Sequence, residues 1–128
     1  KQWLDAPEFA TMSTIEPSGQ PQLSVVWAAR DGDDVLVSTT KGRRKHENLK
    51  RDPRVTLLVS PKDAPYSYVE VRGSAVEMTE EPDDPDARGL IDRMAQQYMG
   101  ADRYPLDDET GEQRVKVRIR PEKVVLRT

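Results

Sequence analysis

Val35–Val59, VLVSTTKGRRKHENLKRDPRVTLLV, reads as two apolar strands joined by a short connection that gathers positive charge in an otherwise acidic chain. Lys41, Arg43, Arg44, Lys45, Lys50 and Arg51 fall within residues 41–51, opposed there only by Glu47. Gly42–Lys50 reads as a helix that stops before Asp52-Pro53, because the residue preceding a proline disfavours helical geometry. A helix N-terminus presents unpaired amides and the positive end of the dipole, so it favours anions. Arg43 adds a planar fork and Lys45 a point charge. Asn48 lies about one turn beyond Lys45, and Ser38, Thr39 and Thr40 supply hydroxyls just before the turn. The segment suggests an anion site of the kind a cofactor phosphate occupies; an ordinary solvated helix is the alternative. His46, between Lys45 and Glu47, is expected on the exposed face of that helix.

Outward from this segment the pattern is strands and tight turns. Phe9–Ile15 is expected to be a strand, followed by a turn at Pro17-Ser18-Gly19. Gln22–Ala29 reads as one strand with Leu23, Val25 and Trp27 on one face. Asp31-Gly32-Asp33 signals a hairpin that pairs it with Asp34–Thr40. Arg54–Ser60 is the fourth strand and Tyr66–Met78 a long fifth, bending at Gly73. Asp84 and Pro85 are placed to start a helix that carries Leu90, Ile91, Met94 and Tyr98 and stops at Gly100. Arg114–Arg120 is the sixth strand, with Val124–Leu126 extending it after a turn at Pro121. Lys1–Pro7 reads as the end of a helix. The prediction is a mainly β single domain over residues 1–128, a small antiparallel β-barrel with flanking helices, since closure removes exposed edges.

Composition narrows the function. Of the 128 residues 35% are apolar and 34% charged, so a monomer has a thin core and association is expected. A net charge of -3, with one Phe, four Tyr and two Trp, argues against a nucleic-acid binder that needs a basic groove with stacking platforms. The absence of cysteine excludes disulfides, thiolate metal sites and cysteine nucleophiles, and a lone histidine excludes a multi-histidine metal site. No apolar run approaches the roughly 20 residues of a membrane span. Because the chain opens on Lys1 without methionine, it is read as trimmed at one or both ends, with the cytoplasm as default location. The acidic group Glu80, Glu81, Asp83, Asp84 and Asp86 lacks the alternation and central glycine of a calcium loop and reads as a solvated loop with a helix cap. Lys116, Arg118 and Arg120 alternate with apolar residues and read as an exposed strand face.

The run V-S-T-T-K-G-R-R-K-H-E-N-L-K-R-D-P-R-V resembles the signature of the pyridoxamine 5′-phosphate oxidase-like family. Within it, the run is most similar to the actinobacterial branch of flavin/deazaflavin oxidoreductases that use coenzyme F420. The pattern R-x-K-x-x-N-L-x-x-D-P-R-V is met at Arg43, Lys45, Asn48, Leu49, Asp52, Pro53, Arg54 and Val55. A-T-M-S-T-I-E-P-S-G-Q-P-Q-L-S-V-V-W is similar to the family's opening hairpin, and Y-V-E-V-R-G-S-A to its long central strand.

The resemblance implies an FMN-binding split β-barrel, a six-stranded antiparallel Greek-key barrel that forms a homodimer with cofactor sites between protomers. It places Arg43 and Lys45 on the cofactor phosphate, counts Arg44 among the contacts, and has Asn48 fix the loop. Ser38, Thr39 and Thr40 are expected beside the ring system and Ser24, Val26 and Trp27 on the other wall. Tyr66, Ser67 and Tyr68 are expected to reach the same groove, from the partner chain. Coenzyme F420 is the expected cofactor and FMN the alternative. The tail shows none of the arginine and histidine motifs with which family members hold pyridoxamine phosphate, so that oxidation is disfavoured. The implied reaction is hydride transfer to an electron-poor small molecule, with no side-chain nucleophile and no catalytic residue assigned. A carrier of F420, FMN or haem is the competing reading, with neither nucleic acid nor membrane as partner.

Overall fold

Alternation of buried and exposed residues along short β-branched stretches builds seven strands among the described residues: β1 (Ala10–Ile15), β2 (Pro21–Val26), β3 (Ala28–Asp31), β4 (Asp34–Thr40), β5 (Arg54–Val59), β6 (Tyr68–Glu80) and β7 (Arg114–Arg127). Among the described residues two helices, α1 (Arg44–Arg51) and α2 (Pro85–Met99), are inserted after β4 and β6. The computed structural model describes residues 9–61, 63, 64, 66–105 and 112–127. The helix expected at Lys1–Pro7 lies outside those residues.

All pairings are antiparallel and the ladder runs β2-β1-β5-β6-β7-β4-β3. β2 and β3 are its two ends, yet Trp27 alone separates them in sequence. Two residue steps span at most about 7 Å, so the edges of the sheet must meet at Trp27. The sheet therefore curls into a barrel that is split at this seam rather than closed by hydrogen bonds. Its interior is apolar: Met12, Val37, Leu57, Val71, Val117 and Ile119 are among the residues packed there. α2 covers the outside of β4, where Leu90, Ile91 and Met94 pack on Leu36. Asp84 caps that helix by accepting from the Asp86 amide, Pro85 opens it, and Gly100 ends it with φ 71°.

Seven strands replace the expected six because Gln22–Ala29 is divided at Trp27. The residues before it pair with β1 and those after it with β4. A two-residue period is the same on both sides, so alternation alone cannot reveal the change of partner. The expected turn at Pro121 is also absent, and β7 runs through it. Pro121 falls beyond Ile119, the last β7 residue paired with β4, so its missing N–H costs no ladder bond on that side.

Opposite Pro121 stands Gly73, where the β6–β7 register shifts. A Cβ on Gly73 would lie 2.2 Å from the Arg120 carbonyl oxygen and 3.1 Å from the Pro121 Cα. Backbone cannot yield as a side-chain tip can. Gly73→Ala is expected to lower stability by about 1–3 kcal/mol, read as a reduced urea midpoint at unchanged m-value. A wild-type midpoint would show that the strands separate freely at this crossing.

Candidate functional site

The seam is where β2 and β3 part without pairing, on either side of Trp27. Trp27 stacks on Tyr98 of α2, with centroids 5.0 Å apart and planes 12° from parallel. The Tyr98 hydroxyl accepts from the Ala28 N–H at 3.3 Å and donates to the Ala28 carbonyl at 3.0 Å. It thus satisfies backbone groups that the break between β2 and β3 would strand. Tyr104 meets Trp27 edge-on at 6.0 Å, and the Arg114 guanidinium lies 4.6 Å above the Tyr104 ring. Beside this stack opens a cleft of about 190 Å³ walled by Val25, Val26 and Trp27, by Ser38 of β4, and by Arg43, Lys45 and Arg114.

The helix after β4 delivers the charge. Lys45 reaches across to donate to the Ser24 hydroxyl at 3.2 Å, so Ser24 holds the lysine rather than lining the cleft itself. Burial lowers the Lys45 pKa from 10.5, and the positive charges of Arg43 and Arg114 lower it further. Such crowding of cations is relieved by an anion between them. Arg43 is exposed and makes a 3.4 Å pair with Glu112. Arg44 points elsewhere, to Glu16 in the β1–β2 turn at 3.0 Å, and does not line the cleft. Asn48 is buried and anchors α1 to the barrel: its Nδ2 donates to Thr14 Oγ1 at 3.1 Å, while its Oδ1 accepts from Arg51 at 3.3 Å.

Of the three hydroxyls before the turn, only Ser38 lines the cleft. Thr39, one residue on, faces the barrel interior with Val37, and Thr40 sits opposite Arg114 in the ladder. The Ser38, Thr39 and Thr40 hydroxyl oxygens are buried and find no hydrogen-bond partner among the described residues. Tyr66, Ser67 and Tyr68 do not come to this cleft within one chain. Tyr66 is 90% exposed, and Tyr68 pairs with Arg127, at the far end of the β6–β7 ladder from Arg114. Arg114 and Tyr104 escaped sequence reading. The first looked like one more cation on a strand, and the second lay in a polar, irregular stretch without periodicity.

Two surface expectations fail. His46 is buried, at 4% exposure, because α1 turns that side onto the barrel end. Lys116 is also enclosed, its side chain 12% exposed and paired with Asp86 at 3.1 Å and Asp84 at 3.3 Å. α2 covers that face of β7 and supplies both carboxylate partners at its N-terminus. Hydrogen bonding by Asp86 holds the Lys116 pKa up, and the Arg93 hydrogen bond holds Asp86 down. Arg118 bonds Asp31 at 2.7 Å and Asp34 at 3.1 Å, closing the β3–β4 hairpin onto β7. Among the described residues no three His, Asp or Glu side chains are grouped to hold a metal ion, and no helix is long and apolar enough to cross a membrane.

A family model described as pyridoxamine 5′-phosphate oxidase matches residues 1–127. Among solved structures, an F420 reductase superposes with TM-score 0.83 at 29% identity, covering 97% of this chain and 94% of its own. A conserved hypothetical protein from Mycobacterium tuberculosis gives TM-score 0.75 at 28% identity, covering 96% and 78%. General Stress Protein 26 from Bacillus anthracis gives 0.68 at 17%, covering 98% and 88%, a likeness of fold alone.

Lys45 reports on the cleft directly. Its amine should titrate below 10.5 by 13C NMR of the lysine side chains, and Arg43→Gln should move it upward but not all the way back, since burial is the larger cause. No movement in that variant would mean that the two charges do not share the cleft.

Proposed function

The chain belongs to the pyridoxamine 5′-phosphate oxidase family, and we propose that within it the protein is an oxidoreductase that binds coenzyme F420 at the barrel seam and reduces an electron-poor small molecule. The observation that carries the ligand class is the cleft itself. Arg43, Lys45 and Arg114 converge on it with an aromatic wall at Trp27 and a buried, unpartnered hydroxyl at Ser38. A planar ring system with an anionic tail matches those donors: apolar and aromatic surface for the ring, two arginines and a lysine for the phosphate. The choice of F420 over FMN is supported by the likeness to an F420 reductase over nearly the whole of both chains.

When bound, reduced F420 supplies a hydride from its deazaflavin ring. The protein's own part is to hold and orient. Lys45, steadied by Ser24, and Arg43 bind the phosphate, and Ser38 donates its idle hydroxyl to the ligand. The Trp27–Tyr98–Tyr104 stack fixes one wall and keeps water from that side.

The cleft of about 190 Å³ is smaller than the roughly 300 Å³ at which ligand pockets begin, so one chain supplies one wall of a larger groove. Beside it the outer face of β2 and β5 exposes Leu23 (64%), Val25 (67%) and Leu58 (40%). A second copy seated on that face buries these residues and completes the groove, and in this dimer Tyr66, Ser67 and Tyr68 are contributed from the partner.

Side-by-side fluorescence titration with F420 and FMN tests the reading, with F420 the tighter ligand. Lys45→Ala should weaken F420 binding by about 1.5–3 kcal/mol, the worth of a hydrogen bond to a charged group; undiminished affinity there would remove the phosphate assignment. Steady-state turnover with reduced F420 on quinones and enones separates enzyme from carrier, since tight binding without turnover on any acceptor identifies a carrier.

A further inference from the structure

His46 is the chain's one histidine and has no part in the binding or transfer described above, yet it is 4% exposed. Its Nδ1 accepts the backbone N–H of Gly42 at 3.0 Å. Gly42, with φ 86°, is the middle of the turn that carries β4 into α1. The flanking amides of that turn are held by backbone: Lys41 N–H donates to the Gln113 carbonyl at 2.9 Å and Arg43 N–H to the Thr40 carbonyl at 3.1 Å. α1 has no side-chain cap at its N-terminus. Of the amides of Lys41, Gly42 and Arg43, that of Gly42 is the one held by a side chain. An imidazole that accepts at Nδ1 carries its proton on Nε2, and Nε2 lies 3.9 Å from Glu80 Oε2 at the end of β6.

Resting on the reading of Arg43 and Lys45 as the anion clamp, we infer that His46 is a positioning residue for that clamp. Its neutral, Nε2-protonated ring locks the 41–43 turn and aims Arg43 and Lys45 into the seam, and protonation of Nδ1 releases the turn and weakens anion binding. A protonated imidazole has two donors and no acceptor, so the Gly42 N–H loses its partner. The charged groups around the ring come from every element packed on it: Lys41 from the turn, Glu47 and Lys50 from α1, Glu80 from β6. Asp83 and Asp84 line the same recess ahead of α2. Burial and then Lys50 favour the neutral ring, Glu80 and Glu47 oppose them, and Lys41 adds to the first pair, with the pKa held below 6.5 as the result. The unfolded chain thus binds the proton more readily than the folded one. The contribution of the neutral ring is complete above 6.5 and is lost as pH falls below it.

Inorganic sulfate is the probe, since its charge is constant between about pH 5 and pH 8, where an unperturbed histidine titrates. It is titrated against the full chain, with the backbone amide shifts of Arg43 and Lys45 as readout. Wild-type affinity should fall as pH drops below 6.5, by about two- to tenfold once the ring is protonated, the worth of one neutral hydrogen bond. His46→Asn, which keeps an acceptor in the Nδ1 position but does not titrate, should bind as wild type does at high pH and lose the pH dependence. His46→Leu should bind about two- to tenfold more weakly at every pH. A His46→Asn profile that still follows the wild type, or an Nδ1-protonated ring at neutral pH by 15N NMR, would overturn the inference, and both can be read even if His46→Leu fails to fold. Lys45→Ala is the control that separates the two readings. Sulfate binding undiminished in Lys45→Ala sinks the clamp itself, whereas loss there with unaltered His46→Asn behaviour sinks only the role of His46.

Discussion

One residue, Trp27, links the two edges of the sheet, and that short covalent bridge dictates the shape of everything else. A ladder of seven strands whose first and last members are adjacent in sequence has to wrap around. Wrapping encloses the apolar interior, but leaves β2 and β3 without a common hydrogen-bond register at the seam. The cost of that break is offset locally by Tyr98, which supplies both a donor and an acceptor to Ala28 and stacks on Trp27. α2 is thus the strap across the open side of the barrel, and its hydrophobic stripe on Leu36 holds it there.

The cleft follows from the same break. A closed ladder would bury its backbone and fill its surface evenly; a split one leaves a furrow between β2 and β4. The turn after β4 opens beside that furrow, so α1 starts at its rim and brings Arg43 and Lys45 with it. The helix is held in place by polar contacts to the barrel, chiefly Asn48 to Thr14, rather than by a large apolar face. Asn48, Thr14 and His46 are each hydrogen-bonded there, and loss of one partner would strand a buried donor or acceptor, which makes the junction exacting in geometry though modest in area.

Much of this was legible in the chain. The strand boundaries around β4, α1 and β5 followed from alternation and from Asp52-Pro53, and the cap at Asp84 and stop at Gly100 from local backbone chemistry. Lys45 and Arg43 were readable as candidates for an anion site because their charge and spacing are properties of the segment itself, and both line the cleft. Arg44, with the same charge one position away, was not separable from them, since its direction depends on Glu16 in a distant turn. The same holds for Lys116 and Arg118, whose carboxylate partners come from α2 and from the β3–β4 hairpin.

What the sequence by itself determined were the quantities set by neighbours along the chain: strand period, the cap and stop of α2, the turns at Pro17-Ser18-Gly19 and Asp31-Gly32-Asp33, and the concentration of cations between Lys41 and Arg51. The tertiary structure decided which of those residues meet. It split Gln22–Ala29 at Trp27, buried His46 against the turn it steadies, and brought Arg114 and Tyr104 to a cleft with Lys45. Pairing partners and burial arise from contacts between residues far apart in the chain. Alternation and local charge are identical whichever partner lies across the ladder, and only folding chooses among them.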